Sequence, residues 1–410
     1  MSETTPEQLP VEPVDHGFWR LVHFVGWFWK TLVFRLRVRG REHFPRVGSV
    51  VLLGNHTAAA DPLCMLVALK RPVHFMASEA LFRKPRLGYI MRRMGTFPKA
   101  KYARDKEAVS KMLMHNGAGR VVGMFPEGNR SWNGRTQDLQ PGLGWLIKKS
   151  EGPVVFARNL TAWLLQPRWA VYPRWVPIQL ELSEPWTVPD DWTTQQIEAE
   201  VRRRIEVRPE DVQIKGVAIG IRMALGLPAF LWACPQCFAV DGLGIHPKSD
   251  NKVLCGACGA AWRIDVAQKL HPCGGDAVPL TVGAAHDLVV ARFGELPTLD
   301  PDRFVAEGIA LDGDTVRVSR MVDDVLEPIT EGPGTLTAEG VSIGSGDSAW
   351  RQTFKQIKAV SVEVGNQLQV RTNSELFQLD PLDGSPLKWG HFVAAHHAQS
   401  RPKRRGRRRG

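Results

Sequence analysis

GSVVLLGNHTAAADP, residues 48–62, is the stretch that decides the fold class of this 410-residue chain. Its Gly48–Gly54 part is a short Val/Leu run bounded by glycine, which is typical of a buried strand. Asn55 and His56 follow directly, and Pro62–Leu69 has the pattern of a helix. A buried strand that leads through a polar turn into a helix predicts an α/β layer structure.

Further strands and helices alternate after this stretch. The sequence predicts strands at Val73–Met76, Val121–Phe125 and Trp175–Leu182. It predicts helices at Leu87–Met94 and Thr194–Val207. We therefore expect a first domain in which helices flank a mixed sheet.

The composition is that of a globular protein, with 43% hydrophobic residues and a formal net charge of +11. Seven of these charges lie in Arg401–Gly410, which leaves +4 for the rest of the chain. Such a tail can attract anionic lipid or nucleic acid, or it can be a solvated terminus without a partner. The composition excludes a wholly disordered chain.

Two N-terminal features bear on location. Met1–Asp15 is acidic and lacks the pattern of a secretory signal, so we expect the domains to face the cytoplasm. Gly17–Arg39 is rich in Trp and Phe but interrupted by cations, which predicts a helix in the lipid headgroup layer. The alternative is a helix buried against its own domain. Val217–Ala233 leaves the same two alternatives, membrane contact or internal packing.

A first candidate for chemistry is the pair His56 and Asp61, five positions apart after the buried strand. A turn there can bring the Asp61 carboxylate to one imidazole nitrogen and leave the other free to accept a proton from a hydroxyl. The small side chains of Ala58, Ala59 and Ala60 leave space beside such a base. Taken alone, the pair also fits an ordinary cap or ion pair.

A second candidate is FPEGNRS, residues 125–131, which again follows a strand. Glu127 offers a carboxylate for a hydroxyl, Arg130 can bind phosphate through two N–H groups, and Gly128 permits close approach of the backbone. Ser131 completes the candidate substrate-binding set. A tight surface turn with an Arg/Glu pair is the alternative interpretation of this motif alone.

In this order, the two motifs resemble those of the glycerolipid acyltransferase family, which includes 1-acylglycerol-3-phosphate acyltransferase. The resemblance spans Val38–Pro185. Gly95–Lys101 resembles a further family block that usually ends in arginine, and Lys101 stands at that place. Gln140–Val155 resembles a fourth block, and the run Val155–Ala157 departs from it.

The resemblance implies that His56, oriented by Asp61, deprotonates an acceptor hydroxyl. The hydroxyl then attacks an acyl thioester of coenzyme A or acyl carrier protein, without a covalent acyl-enzyme and without a catalytic cofactor. The acceptor's polar end would be bound by Glu127, Gly128, Arg130, Ser131 and Lys101. Lysophosphatidate is the expected acceptor, with glycerol 3-phosphate, another lysophospholipid or an acylated natural product as alternatives. Phospholipid biosynthesis or remodelling is the expected role.

Cys234, Cys237, Cys255 and Cys258 form two CxxC pairs at the spacing of a zinc ribbon. Four thiolates leave no open coordination position, so the predicted Zn²⁺ is structural rather than catalytic. Unpaired or redox-active thiols are the alternative.

After the cysteines the pattern changes to short strands with Gly turns and a final helix at Ser385–Ala395. The expected strands are Thr315–Ser319, Gly334–Ile343, Ile357–Val364, Gln367–Thr372 and Leu376–Leu379. This small β-rich domain resembles a pleckstrin-homology or GRAM-type barrel, with a plain interaction barrel as the alternative. The predicted boundaries are 1–16 disordered N-terminus, 17–228 acyltransferase domain, 229–275 zinc ribbon, 276–396 β-rich domain and 397–410 basic disordered tail.

The sequence therefore predicts an O-acyltransferase bound to the cytoplasmic face of a membrane as a peripheral or monotopic protein. Its expected partners are anionic lipids, a lysophospholipid acceptor and an acyl thioester donor; nucleic acid is not expected. The rival hypothesis is a ribbon protein that binds nucleic acid or protein and carries a vestigial acyltransferase domain. The presence of His56, Asp61, Glu127 and Arg130 together argues against this rival.

Overall fold

A computed structural model describes residues 14–99, 105–322, 325–363 and 367–400. The chain divides into two compact units. The first extends to Arg168 and includes Pro173–Gly220, and the second comprises Trp169–Tyr172 and the chain from Ile221 onward. Residues 1–13, Lys101 and Arg401–Gly410 lie outside the described residues, whereas residues 397–400 of the predicted tail belong to the helix Pro386–Ser400.

The first unit contains a mixed sheet, as the sequence predicts, with strand order β1-β7-β6-β2-β5-β3-β4. Neighbouring strands run parallel, except that β7 is antiparallel to β6. The strands are β1 Arg37–Arg39, β2 Val50–Gly54, β3 Val73–Ser78, β4 Phe97–Lys99, β5 Val121–Met124, β6 Val154–Asn159 and β7 Gln179–Leu182.

Helices cover both faces of this sheet. They are α1 His16–Leu32, α2 Asp61–Ala68, α3 Glu79–Phe82, α4 Pro85–Arg93, α5 Lys106–Gly117, α6 Leu143–Lys149 and α7 Thr194–Ile205. Leu52 of β2 packs with Met65 of α2, whereas Leu53 packs on the other face with Ile197 of α7. Because successive side chains of a strand point to opposite faces, this double burial explains why β2 is apolar throughout.

The N-terminal segment forms the predicted helix, α1, only as far as Leu32, whereas Arg37–Arg39, which the prediction included, is β1. Asp15 caps the helix by accepting a hydrogen bond from Phe18 N at 2.9 Å. Trp19 and Val22 pack against a cluster that contains Val67 of α2, so one face of α1 is docked. In the described part of the chain, no helix has both the length and the apolar character needed to cross a membrane.

The second unit holds two antiparallel sheets. The first bears the cysteines and comprises β8 Leu243–His246, β9 Ser249–Cys255, β10 Ala261–Ile264, β11 Lys269–Gly274 and β12 Leu280–Thr281. The second comprises β13 Ile309–Val322, β14 Val325–Thr337, β15 Gly340–Ile343, β16 Trp350–Thr353, β17 Ala359–Glu363, β18 Gln367–Arg371 and β19 Leu376–Pro381. The sequence predicted one strand over Gly334–Ile343, where the structure has the end of β14, a turn and β15.

The helices of this unit are α8 Leu227–Phe230, α9 Val282–Phe293, α10 Pro301–Glu307 and α11 Pro386–Ser400. Within Val217–Ala233 the helical part is limited to α8. Trp169 is 2% exposed and stacks on Phe230 of α8, with ring centroids 6.3 Å apart. This tryptophan therefore belongs to the core of the second unit although it lies between β6 and β7 in the sequence.

The core of the β13–β19 sheet includes residues that immediately precede the cysteines. Trp232 and Ala233 are buried there with Phe392 of α11. Lys388 of α11 is 1% exposed and forms ion pairs with Asp241 and with Asp314. The segment around the first cysteine pair thus shares a hydrophobic core and a buried ion-pair network with the C-terminal sheet.

Candidate active site

His56 and Asp61 meet at the carboxyl edge of β2, as the first motif predicts. His56 Nδ1 lies 3.0 Å from Asp61 Oδ2, and the His56 side chain is 20% exposed whereas that of Asp61 is fully buried. Glycine at position 54 leaves room for the side chain of Met65 in α2, because a Cβ at this position would lie 2.1 Å from Met65 Cε. The imidazole thus has one nitrogen on a buried carboxylate and its ring partly open to solvent.

Backbone amides fix the Asp61 carboxylate. Its Oδ2 accepts hydrogen bonds from Thr57 N at 2.6 Å and from Ala58 N at 2.8 Å. Because an ionised carboxylate only accepts hydrogen bonds, His56 Nδ1 must carry the proton that it shares with Oδ2. In the neutral ring, His56 Nε2 therefore carries no proton and can accept one, which is the tautomer a general base needs.

The FPEGNRS loop lies against His56. The ring of Phe125 stacks on the imidazole, with centroids 4.2 Å apart. Glu127 is 2% exposed. Its Oε1 accepts from His56 N at 2.7 Å, and its Oε2 accepts from Gln137 N at 2.7 Å. Burial raises the pKa of Glu127 to about 8, and these two N–H donors act in the opposite direction. Both oxygens already have protein partners, so acceptor binding by Glu127 stays a prediction.

The remaining loop residues also surround the dyad. Ser131 is buried, and its N donates to His56 O at 2.8 Å. Gly128 has φ of +74°, a conformation that favours glycine. Burial lowers the pKa of the half-buried Arg130 guanidinium, and the Asp61 charge acts in the opposite direction. Among the described residues this guanidinium has no hydrogen-bond or ion-pair partner, so it can bind an anion beside the dyad.

Gly95–Lys99, the described part of the block that ends at Lys101, extends toward the same edge of the sheet. Ser78 of β3 pairs with Lys99 of β4, and Phe75 of β3 pairs with Gly123 of β5. These registers place Lys99 two rows beyond Phe97, toward the carboxyl edge where His56 lies. Lys101 itself lies outside the described residues, so its predicted role in phosphate binding remains a prediction.

Sequence reasoning missed two asparagines of this site. Asn159, the last residue of β6, donates from Nδ2 to Asp61 Oδ1 at 2.7 Å. Asn55 binds the backbone of Asn159 twice, at 2.6 Å through Oδ1 and at 2.9 Å through Nδ2. The β6 strand was not predicted, and Asn159 lies 98 positions from Asp61. The available signal was a polar residue at the end of a Val/Phe/Ala run, which strands often show.

The four cysteines converge in the second unit. Their Sγ atoms all lie within 4.8 Å of one another, with Cys234 to Cys258 at 4.0 Å and Cys237 to Cys255 at 3.7 Å. These distances are far longer than a disulfide bond of about 2.05 Å. A tetrahedron with Zn–S bonds of about 2.3 Å has sulfur separations of about 3.8 Å. The donor set therefore fits Zn²⁺.

Comparison with known proteins agrees with this geometry. A family model described as Acyltransferase matches residues 35–157. This segment contains His56, Asp61, Glu127 and Arg130. The chain carries an acyltransferase-family domain. The resemblance seen in the sequence is thereby confirmed for the part of the chain that holds the candidate site.

Two curated relatives of the acyltransferase domain are both 1-acyl-sn-glycerol-3-phosphate acyltransferases. The protein from Borreliella burgdorferi is 32% identical over 110 residues, which cover 26% of this chain and 44% of the relative. The chloroplastic protein BAT2 from Brassica napus is 28% identical over 140 residues, which cover 32% of this chain and 40% of the relative. The chain thus spans less than half the length of each relative.

A solved structure was also found by shape comparison. It is that of the 1-acyl-sn-glycerophosphate acyltransferase PlsC from Thermotoga maritima, with 20% sequence identity and a TM-score of 0.37. The match covers 46% of this chain and 78% of that one.

Proposed function

We propose that the protein transfers a fatty acyl group from a thioester to the hydroxyl of a lysophospholipid, with lysophosphatidate as the expected acceptor. The observation that carries this proposal is the His56–Asp61 pair. Its tautomer leaves His56 Nε2 as a proton acceptor, and it lies within the segment that matches the Acyltransferase model. The names of both curated relatives agree with this acceptor.

In the proposed reaction, His56 Nε2 removes the proton of the acceptor hydroxyl as its oxygen attacks the thioester carbonyl. The C–S bond then breaks, and the thiolate leaves as the thiol after it takes the proton from the imidazolium. The products are an ester and a free thiol. Asp61 stabilises the imidazolium that forms between these two proton transfers. A thioester is already an activated acyl donor, so the reaction needs no cofactor and gains mainly from positioning of the reactants.

Arg130 supports a phosphate-bearing acceptor. Its guanidinium is half-buried, lies close enough to sense the Asp61 charge, and has no protein partner among the described residues. A guanidinium can hold a phosphate through two parallel hydrogen bonds. We assign the acceptor's phosphate to Arg130 and to Lys101, with Gly128 and Ser131 lining the same loop and Glu127 near the glycerol hydroxyls.

Membrane association is part of this proposal, because the acceptor and the product reside in a lipid bilayer. One face of α1 carries large apolar side chains that are 45–69% exposed: Leu21, Phe24, Val25, Trp27, Phe28, Trp29 and Leu32. Arg20 and Lys30 lie on the same helix. Exposed aromatic rings next to cations suit the headgroup layer of an anionic, cytoplasm-facing membrane surface.

We also propose that the four cysteines bind one structural Zn²⁺, since the sulfur separations match a tetrahedral site and four thiolates fill it. The two cysteine turns are built alike. Each has a residue of positive φ four positions after its first cysteine, Phe238 at 60° and Gly259 at 73°.

The decisive experiment incubates the purified protein in lipid vesicles with lysophosphatidate and, separately, acyl-CoA or acyl carrier protein thioesters. Phosphatidate is measured by mass spectrometry. His56→Ala should lose activity by about 10²-fold or more while it remains folded, because general base catalysis contributes this much. Full turnover by the folded variant would overturn the mechanism. Asp61→Asn should retain more activity than His56→Ala.

A further inference from the structure

Asn159 stands directly behind the catalytic pair. It is fully buried at the end of β6, and its Nδ2 donates to Asp61 Oδ1 at 2.7 Å. Among the described residues, Asn159 Oδ1 has no hydrogen-bond partner. A buried amide oxygen without a partner is costly, so the donation from Nδ2 to Asp61 is the favourable side-chain contact at this position.

The orientation of the amide follows from the chemistry of its neighbour. An ionised Asp61 carboxylate can only accept hydrogen bonds. If the Asn159 amide were reversed, its oxygen would face the Asp61 oxygen with no proton between them. Nδ2 must therefore face Asp61.

The backbone of Asn159 is held independently of its side chain. Asn55 accepts from Asn159 N and donates to Asn159 O, so the residue directly before His56 fixes the end of β6. The Nδ2–H group thus approaches Asp61 from a rigid position. The amides of Thr57 and Ala58 hold the other oxygen, Oδ2, together with the imidazole.

We propose that Asn159 is a positioning residue of the acyl transfer reaction, which holds the free oxygen of Asp61 so that Oδ2 stays on His56. The inference rests on the proposed function. Two consequences follow from the contact. The carboxylate cannot rotate its oxygens away from the imidazole, and the N–H donor withdraws negative charge from the carboxylate. Without this donor, Asp61 would hold the protonated imidazole more strongly.

Asn159→Ala tests this directly, because it removes the side-chain amide that donates to Asp61 and keeps both backbone bonds to Asn55. We expect kcat to fall by about tenfold, a part of what general base catalysis supplies, with KM for the acceptor unchanged. We also expect the acidic limb of the pH profile of kcat/KM to move upward by roughly 0.5 pH units, since the imidazolium is held more tightly.

Thr161→Val provides the matched control. Thr161 is also fully buried, two residues beyond Asn159, and its Oγ1 donates to Pro177 O and accepts from Gln179 N. The control loses buried hydrogen bonds in the same segment without touching Asp61. We expect it to lower the melting temperature and to leave the pH profile in place.

The inference is overturned if Asn159→Ala keeps the wild-type kcat and pH profile, or if Thr161→Val shifts the profile equally. It is also overturned if the loss appears as a higher acceptor KM. Absence of acyl transfer by the wild-type protein would instead reject the proposed function. In that case, the pH at which the His56 imidazole titrates, followed by NMR in wild type and Asn159→Ala, still decides the inference. An upward shift in the variant supports it, and coincident titrations or a downward shift overturn it.

Discussion

Glu127 has two candidate roles at the site: it holds the loop that bears His56, and it is predicted to bind the acceptor. Its oxygens accept from the backbone N–H groups of His56 and Gln137, so the carboxyl group joins the two loops at the candidate site. A glutamine at this place keeps one acceptor and turns an NH₂ group toward a backbone donor. We expect Glu127→Gln to destabilise the protein by about 1–3 kcal/mol, the cost of an unsatisfied buried donor.

Kinetics of the same variant separate the structural task from acceptor binding. If Glu127 acts by holding the His56 loop, Glu127→Gln lowers kcat and leaves KM for lysophosphatidate unchanged. A raised KM with an unchanged kcat would favour direct binding of the acceptor. The melting temperature, measured by calorimetry, reports the structural part.

Two buried histidines predict how stability depends on pH. The rings of His74 and His115 lie 4.0 Å apart, and burial lowers their pKa values to about 4 and about 3. Arg120 disfavours the charged form of both, and Lys111 also disfavours that of His115. His74 Nδ1 lies 3.0 Å from Gly95 O, and His115 Nδ1 lies 3.1 Å from Arg120 Nη1. Both rings are therefore neutral in the folded protein at neutral pH.

Because their folded pKa values lie below the unfolded value near 6.5, these histidines bind more protons when the protein unfolds. Their contribution to stability is complete above about pH 6.5 and is lost as the pH falls toward 4 and 3. The loss is about 1.4 kcal/mol per pH unit for each ring. His115→Gln keeps an acceptor for Arg120 but does not titrate. Its melting temperature should fall less between pH 7 and pH 5 than that of the wild type, and an equal fall would contradict this account.

At the scale of elements, α1 carries the prediction about membranes. Phe24→Ser, Trp27→Ser and Phe28→Ser together remove exposed rings without touching Trp19, which packs inside. We expect this triple variant to lose binding to phosphatidylcholine vesicles that contain phosphatidylglycerol, measured by sedimentation. High salt should weaken only the electrostatic part of wild-type binding.

Two controls isolate the helix from other apolar or basic groups. Val47→Ser changes a side chain that is 82% exposed elsewhere in the first unit, and it should bind like the wild type. Deletion of Arg401–Gly410 should release less protein than the triple variant. Release by the tail deletion alone, with the triple variant still bound, would show that the tail is the membrane anchor.

The elements that sequence reasoning found are those with a strong local pattern. β2 and β5 are continuous apolar runs, and α7 begins with a capping box at Thr193 and Gln196. By contrast, α5 and α9 were missed because their apolar residues form no clear stripe. The His56–Asp61 pair could be predicted because its members are close in sequence. Asn159 could not, since tertiary folding alone brings β6 beside β2.

At the scale of the whole molecule, we expect metal binding to stabilise the C-terminal sheet as well as the sheet that bears the cysteines. Trp232 and Ala233 lie in the core of the C-terminal sheet directly before Cys234, and Asp241 forms an ion pair with Lys388 of α11. We expect elemental analysis to find about one Zn²⁺ per chain. Its removal by a chelator should make the β13–β19 region as sensitive to protease as the ribbon, because metal binding contributes directly to folding.

Cysteine variants test this coupling. Cys234→Ser with Cys258→Ser should abolish metal content and expose both sheets to protease. Cys273→Ser alters an exposed cysteine outside the cluster and should leave metal content unchanged. If the metal-free protein keeps a protease-resistant C-terminal sheet, the two sheets are independent. An iron–sulfur absorbance in the pure protein would show that the cysteines bind an iron–sulfur cluster instead of zinc.

The position of Trp169 has a consequence for how the gene can be divided. This tryptophan is encoded between β6 and β7 of the first sheet but is buried against Phe230 in the second unit. A gene fragment that stops after the codon for Gly220 would encode Trp169 without its packing partner. Recombination at that boundary would likewise transfer an incomplete core. During synthesis, Trp169 leaves the ribosome before α8 and has no packing partner until α8 has emerged. A recombinant gene must therefore keep the codons for Trp169 and α8 together.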